Sequence, residues 1–363
     1  MTRRPIVSRD DAVAVLPAAL PALVDLRDRG LTHRWVRHVR SSQAFALSLF
    51  APLPEGGVKR VLAHLGLKVT EVGSVVFEFE DLADRLGEAS SRSPHRTQVD
   101  VVLTGTTEDG EQVAAFIEVK LSEIDFGPCS AFESPDNPSR ATCDSPGLFG
   151  SDPGTCFQLQ NHGRGRRLYD DHLPLPRAPN GPSNDGGCVA RQGRNQPMRN
   201  LALASLMVAV GEFDRVVYAV CAPERHPTIW RRFEEFREVF PDTDTVWTGS
   251  MPAELVARQH PDGGAAFVNR YAPALADQAL LHLSADGSQL LGVWVVRGGS
   301  LESHYPNDEF ASLAEDRLAG QDWSFLVDEL PRSSPYVVWW GRADCSFAES
   351  ARDVFTRLTY TWV

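Results

Sequence analysis

The sequence has no long apolar run and no excess of basic charge, and both absences exclude classes of protein. Its longest nearly unbroken apolar stretch lies at residues 201–210, far short of the roughly 20 residues that a membrane-spanning helix requires. Residues 1–10 carry three arginines, but no apolar segment of the kind found in a signal peptide follows them. We therefore expect a cytoplasmic protein with no membrane partner.

Charge and composition exclude further classes of protein. The 36 basic and 48 acidic side chains give a net charge of −12. This balance argues against a non-specific polyanion binder, which normally has a net basic surface. It still allows a nucleic-acid enzyme whose basic side chains are concentrated in one cleft. With 363 residues, 42% hydrophobic and 23% charged, the chain has enough apolar residues to bury a core, and disordered and coiled-coil classes are excluded.

The first third of the chain changes from helical to strand-like patterning. Apolar residues at helical spacing predict mostly helix for residues 11–66. Within that region a helix is expected at 33–50, where basic residues precede an apolar stretch. Three strand-like segments follow, at 74–80, 98–104 and 112–121.

Residues 126–195 have a different composition from the rest of the chain. Pro, Gly, Ser, Asn and Asp dominate, and four of the six cysteines lie there. A loop of this length inside a compact domain is improbable unless something holds it together. An α/β alternation resumes after this insert. Its helices and strands are predicted at 196–210, 215–221, 227–239, 245–248 and from 252 onward.

The pattern changes again after residue 264. A β-hairpin is predicted from the segments 279–283 and 289–296, and a strand and a closing helix from 336–340 and 347–358. The chain is therefore divided into an α/β unit at 1–264, which includes the insert, and an accessory α/β unit at 265–363.

Charged residues interrupt two apolar strands. Asp100 lies in one strand, and Glu118 and Lys120 share one face of the next, because strand side chains alternate with period two. A three-residue loop with Gly110 in the left-handed region would pair Thr107 with Glu111 and so place Asp100 opposite Glu118. A two-residue turn would instead put Asp100 on the other face.

Such charges on an apolar hairpin are costly unless they are paired or bound to a metal. Two carboxylates offer the oxygen ligands that suit Mg²⁺ or Mn²⁺. The residues alone leave a second interpretation open, namely a buried ion pair between Glu118 and Lys120 beside an unrelated aspartate.

Asp100 followed by Glu118-Val119-Lys120 after a short turn resembles the core of the PD-(D/E)XK nuclease superfamily, the restriction-endonuclease-like fold. The flanking segments at 40–53, 86–88 and 196–201 resemble a bacterial subgroup of that fold, although residue 99 is Val where many members have Pro. The resemblance covers about residues 40–260. It implies a mixed sheet flanked by helices, and hydrolysis of phosphodiester bonds, most often in DNA. Asp100 and Glu118 would hold the divalent metal, and Lys120 would assist the attacking water.

The resemblance also implies supporting residues. Many members have a further acid upstream, for which Glu88 is the first candidate and Glu78 and Glu80 are the alternatives. A glutamine on the helix after the core matches Gln196, which we expect at the N-cap because Pro197 suits the first helical position. Other residues of interest are Gln43, on the helix before the sheet, and Arg199, three residues after Gln196.

The four cysteines of the insert form a second candidate site. They are Cys129, Cys143, Cys156 and Cys188, separated by 13, 12 and 31 residues. No gap is the short one of a zinc knuckle, but four thiolates suit structural Zn²⁺ or an iron–sulfur cluster. His162 or His172 could replace one cysteine, and unlinked cysteines or disulfides are the alternatives. Cys221 and Cys345 are expected to be ordinary thiols.

Basic residues on both sides of the core could contact phosphates. The candidates for nucleic-acid contact are Arg37, Arg40, Arg194 and Arg199, together with Arg34, His38 and the insert residues Arg164, Arg166, Arg167 and Arg191. We therefore expect a metal-dependent DNA nuclease, with a methylase or defence system as a possible partner. A non-catalytic DNA-binding or scaffold protein is the alternative, and a cluster-dependent redox or sensing protein is a third option.

Overall fold

The structure is a computed structural model. It describes residues 15–34, 36–37, 41–89, 96–121, 123, 125–144, 149, 153–161, 165–173, 187–191, 193–224, 226, 228–267 and 271, and the strand backbones at 278–283, 290–297, 300–306 and 336–340. Across these ranges, no helix combines the length and the apolar character needed to cross a membrane.

In the described part of the chain, three α-helices precede the sheet. They are α1 (Leu20–Asp28), α2 (Ser42–Phe50) and α3 (Glu55–His64). The prediction that α2 begins at residue 33 is wrong. The Ser41 side chain accepts the backbone N–H of Ala44 and so caps the helix, while the backbone N–H of His33 is bonded to the Gln43 side chain. The basic residues before Ser41 therefore do not lie on this helix.

Three antiparallel strands follow, β1 (Glu71–Glu80), β2 (Gln98–Thr106) and β3 (Gln112–Val119). The predicted hairpin register is confirmed: Thr106 pairs with Gln112, and the backbone N–H of Thr107 donates to the carbonyl of Glu111 at 3.0 Å. Gly110 has a φ of 84°, which is the left-handed conformation that the three-residue loop requires.

The insert has little regular structure in its described part, as the composition predicts. Its helices are single turns, α4 (Ser130–Glu133) and α5 (Tyr169–His172), and its strands β4 (Gln160–Asn161) and β5 (Gly165–Arg166) have two residues each. The rest of its described secondary structure consists of short 3-10 turns.

After the insert come α6 (Asn195–Ala209), β6 (Arg215–Ala222), α7 (Ile229–Arg237), β7 (Val246–Pro252) and the short α8 (Ala253–Ala257). The sheet order is β1-β2-β3-β6-β7, with β3, β6 and β7 parallel. One face packs on α1, α2 and α3, and the other packs on α6 and α7. The predicted α/β fold, a mixed sheet flanked by helices, is confirmed.

A second, antiparallel sheet of four strands follows. It consists of β8 (Gln278–Leu283), β9 (Leu290–Arg297), β10 (Ser300–Pro306) and β11 (Tyr336–Trp340), in the order β10-β9-β8-β11. The predicted hairpin of β8 and β9 is confirmed. The sequence did not predict β10, whose composition is largely polar. The helix predicted at 347–358 lies outside the described residues.

Two aromatic residues after residue 264 pack against α2. The ring of Tyr271 lies 4.9 Å from that of Phe45 on α2, in an edge-on contact. Its hydroxyl donates to the carbonyl of Ala44 at 3.2 Å. Phe267 is also buried against Phe45, so Phe267 and Tyr271 both belong to the hydrophobic core beside α2.

Candidate active site

Three acidic residues form a row across the three antiparallel strands. The pairing of β1 with β2 places Glu78 level with Asp100, and the pairing of β2 with β3 places Asp100 level with Glu118. Glu78 and Glu118 are buried, with 3% and 0% of their surface exposed, whereas Asp100 is half-buried. The row is therefore accessible from solvent at its central member.

Helix α6 and Lys120 surround Glu118. The Lys120 Nζ lies 2.9 Å from Glu118 Oε1, and the Asn200 side-chain amide donates to Glu118 Oε2 at 2.8 Å. Lys120 also donates to Gln196 Oε1 at 2.8 Å. Gln196 and Asn200 are four residues apart and share one face of the helix. The sequence interpretation missed Asn200, although its spacing from Gln196 was a usable signal.

Asp100 has an electrostatic environment unfavourable to its ionised form. Burial raises its pKa well above the ordinary value, and the nearby carboxylates of Glu118 and Glu78 raise it further. The Lys120 ammonium and a 2.7 Å hydrogen bond from the backbone N–H of Val119 oppose this rise. The three carboxylates are close enough to perturb one another.

Glu78 is held in place by the segment around α2. Gln43 Nε2 donates to Glu78 Oε1 at 2.6 Å and also to the carbonyl of Leu31 at 3.0 Å. Glu78 has a φ of 53°, a left-handed conformation that is uncommon for a residue other than glycine and is often found at functional sites. Burial raises its pKa to about 7, a rise that the Gln43 hydrogen bond reduces and Glu118 increases.

Lys120 remains protonated in this environment. Burial alone lowers its pKa, but the carboxylates of Glu118, Glu123 and Asp100 outweigh burial, so that its pKa is raised. The side chain is buried, and its Nζ lies 5.8 Å from the centre of the Phe126 ring. Lys120 is therefore a fixed positive charge and hydrogen-bond donor at neutral pH, and not a proton acceptor.

The charge of this cluster fits a divalent cation. When all three acids are ionised they carry three negative charges, and Lys120 contributes one positive charge, which leaves two uncompensated. Carboxylate oxygens are also the ligands that Mg²⁺ and Mn²⁺ prefer. Among the residues that the structure describes, no group of three or more His, Cys, Asp or Glu side chains is already arranged to hold a metal ion. Binding therefore requires the carboxylates to reorient around the ion.

Glu88, the first candidate for the third acid, lies in a separate network. Its carboxylate accepts hydrogen bonds from the backbone and hydroxyl of Thr97, both at 2.6 Å, from the Tyr169 hydroxyl, and from Arg199 at 3.0 Å. Together these four donors satisfy the hydrogen-bonding needs of a buried carboxylate. Because Tyr169 belongs to the insert and Thr97 directly precedes β2, the network also connects the insert to the sheet. Glu78, and not Glu88, lies level with Asp100 in the acidic row.

The other predicted residues have mixed outcomes. Gln196 is not the N-cap: α6 begins at Asn195, and Arg194 precedes it. The Arg194 guanidinium is buried and paired with Glu235 at 2.6 Å. Arg199 is bonded to the buried Glu88 network. These two arginines are therefore paired with acids within the protein, and their contact with nucleic acid stays a prediction.

The remaining basic candidates are less informative. Arg37 lies in the non-helical stretch before α2, and Arg40 lies outside the described residues, as do His38 and Arg164. In the insert, Arg166 pairs with Asp170 and Asp171, Arg167 donates to the carbonyl of Gln158, and Arg191 pairs with Asp144.

The four cysteines of the insert, which form the second candidate site in the sequence, line one cavity.

The sheet order and the row of acids beside Lys120 define an α/β protein with a restriction-endonuclease-like core. The chain belongs to the family described as "Restriction Endonuclease associating with ARP", whose family model matches residues 20–248, more than half of the chain. The match includes the acidic row, the cysteine-bearing insert and α6, and it ends before the second sheet. No curated protein and no solved structure matches the chain.

Proposed function

We propose that this protein is a divalent-metal-dependent nuclease that hydrolyses phosphodiester bonds in DNA. One observation carries the proposal: the row of Glu78, Asp100 and Glu118 lies beside a buried, protonated Lys120. Membership of a restriction endonuclease family supports the same function and favours DNA as the substrate.

In this proposal the three carboxylates hold Mg²⁺ or Mn²⁺. When bound, the ion supplies a nucleophilic water and neutralises charge that develops on the phosphate. Asp100 is the member of the row that keeps some exposed surface, and in this proposal ion and substrate reach the row beside it. Glu78 and Glu118, which are buried, fix the inner side of the site.

The ammonium group of Lys120 has a role separate from that of the metal. Lys120 donates hydrogen bonds to the attacking water or to a phosphate oxygen, and stabilises negative charge there in a partly desolvated site. Gln196 accepts one of its protons and so orients the ammonium group. Asn200 holds the second oxygen of Glu118. Gln196 and Asn200 are therefore positioning residues.

The proposal is tested by incubating the full chain with plasmid and with linear single- and double-stranded DNA, in Mg²⁺, Mn²⁺ or EDTA. We expect products only with metal. Asp100→Asn keeps the acceptor for the Val119 N–H but removes the charge, and should abolish cleavage. Asp109→Asn, in the exposed hairpin loop, is the matched control and should cleave like the wild type.

Two outcomes would contradict the proposal. Cleavage that persists in EDTA or in Asp100→Asn would mean that another site or a contaminant is responsible. DNA retention on a gel without metal-dependent products would favour the alternative, a non-catalytic DNA-binding or scaffold protein on the nuclease fold. A methylase or defence-system partner and a cytoplasmic location stay predictions from the sequence.

A further inference from the structure

Four cysteines from separate segments of the insert meet at one cavity. Cys129, Cys143, Cys156 and Cys188 all line it, together with aromatic side chains. All are free thiols; the first, third and fourth are buried, and Cys143 is half-buried. Up to 59 positions separate them along the chain (188 − 129). Because the intervening residues have little regular structure in the described part, this convergence needs a physical cause.

Backbone and side-chain contacts bring the segments together in two pairs. The backbone N–H of Cys188 donates to the carbonyl of Cys143 at 2.8 Å. The Cys129 thiol donates to Gln158 Oε1 at 3.6 Å, two residues after Cys156. The two pairs then meet at the cavity. His172, the histidine that the sequence offered as a substitute ligand, does not line the cavity, and His162 lies outside the described residues.

Burial disfavours ionisation of three of the four thiols. It raises the pKa of Cys129 and Cys143, and that of Cys156 to about 12. The backbone N–H of Phe132 donates to the carbonyl oxygen of Cys129 at 3.0 Å. In the same way, the N–H of Leu159 donates to the carbonyl oxygen of Cys156 at 3.0 Å. A cysteine binds a metal as a thiolate, so a bound cation would stabilise the charged form that burial disfavours.

The sulfur of Cys188 accepts a hydrogen bond from the backbone. The N–H of Phe149 donates to it at 3.2 Å. Apolar packing alone explains this contact poorly, because a buried neutral thiol behaves as a small hydrophobe and has no need of such a donor. Four thiolates without a cation would in turn repel one another strongly in a buried cluster.

We propose that Cys129, Cys143, Cys156 and Cys188 form a four-thiolate site for one Zn²⁺ ion that stabilises the insert. Tetrahedral sites built from four cysteines are a standard form of structural zinc, and binding contributes directly to folding. The four sulfurs are not at the mutual distances of zinc ligands, since among the described residues no group of three or more His, Cys, Asp or Glu side chains is arranged to hold a metal ion. The ion draws them inward by side-chain rotation.

The first test is the metal content of the purified full chain, measured by mass spectrometry after growth with added zinc. We expect about one Zn²⁺ per chain in the wild type, because four cysteines supply one complete tetrahedral shell. Cys156→Ser and Cys188→Ser, singly and together, should lose the ion. Cys221→Ala is the control, since this cysteine lies in β6 and away from the cavity, and should retain it.

A second measurement does not depend on the variants folding. Wild-type protein grown with cobalt in place of zinc should show the intense visible bands of tetrahedral Co²⁺ and sulfur-to-metal charge transfer. Absence of zinc from the wild type, or cobalt spectra without sulfur ligation, would overturn the proposal. Iron with acid-labile sulfide and a brown colour would overturn the assignment to zinc in favour of an iron–sulfur cluster. Neither measurement uses DNA cleavage, so they test this site independently of nuclease activity.

Discussion

Replacing Glu78 by Gln should stabilise the metal-free protein at neutral and alkaline pH. In the folded chain the pKa of Glu78 is raised from 4.5 to about 7, first by burial and then by Glu118 and Glu80, against the Gln43 hydrogen bond. The substitution removes the charge but leaves an oxygen that accepts the Gln43 amide. It therefore relieves electrostatic repulsion within the acidic row while it preserves the packing.

The pKa difference sets the size and the pH range of this effect. A carboxyl group whose pKa is higher in the folded than in the unfolded state binds more protons when the chain is folded. The free energy of unfolding therefore falls as the pH rises from 4.5 to about 7. Below pH 4.5 the group is protonated in both states and the effect disappears. At pH 8 the accumulated cost is about 3 kcal/mol, at about 1.4 kcal/mol per pKa unit. This corresponds to a rise in melting temperature of roughly 6 to 12 °C in Glu78→Gln.

Thermal unfolding in EDTA at pH 4 and pH 8 measures this difference. Glu71→Gln, at the exposed start of the same strand, is the matched control and should change little at either pH. Adding Mg²⁺ should stabilise the wild type more than Glu78→Gln, because a ligand that binds only the folded state stabilises it by mass action. The account is wrong if Glu78→Gln gains nothing at pH 8, or gains equally at both pH values.

Three further substitutions separate structural from catalytic roles. Glu88→Gln should lower the free energy of unfolding in urea by about 2 kcal/mol, because it removes the negative charge that accepts hydrogen bonds from Tyr169 and from the half-buried Arg199, while cleavage should keep its metal dependence. Asn200→Ala should cost about 2 kcal/mol in the same measurement, since it leaves a buried carboxylate oxygen without its donor; Ser205→Ala on the same helix should cost almost nothing. Gln196→Ala should slow DNA cleavage by about tenfold, through loss of ammonium orientation, with unfolding little changed. A normal cleavage rate in Gln196→Ala, or loss of metal dependence in Glu88→Gln, would contradict these assignments.

The hairpin part of the site could be predicted from sequence because its register is local. The loop between β2 and β3 has three residues, so counting back from Thr107 and Glu111 places Asp100 level with Glu118, and the structure has that register. The alternation of helices and strands after the insert was also predictable, since each element has its own apolar period.

The third acid could not be chosen in the same way. Residues 81–97 connect β1 to β2, and a connection of that length does not fix which residues face each other. The sequence therefore offered Glu88 as the first candidate, with Glu78 and Glu80 as alternatives, and could not decide between them. Their difference is tertiary: Glu88 is bound by Arg199 and Tyr169 from elements far along the chain, whereas Glu78 shares the level of Asp100.

The ion pairs of the basic residues could not be predicted for a related reason. A cluster of arginines in the sequence does not show where their acidic partners lie, and the partners of Arg194 and Arg199 are Glu235 and Glu88, which are distant in the chain. The start of α2 was misplaced because the capping role of Ser41 was overlooked, although the serine directly precedes the apolar stretch.

The most direct test of the central claim is cleavage by Lys120→Ala. The chain has three lysines, Lys59, Lys68 and Lys120, and the exposed Lys68 provides the control Lys68→Ala. With Mg²⁺ and double-stranded DNA, we predict that Lys68→Ala cleaves like the wild type. Lys120→Ala should give no products, although circular dichroism shows a folded protein and a gel shift in Ca²⁺ shows retained DNA binding. Unchanged cleavage by a folded Lys120→Ala would contradict the proposed active site.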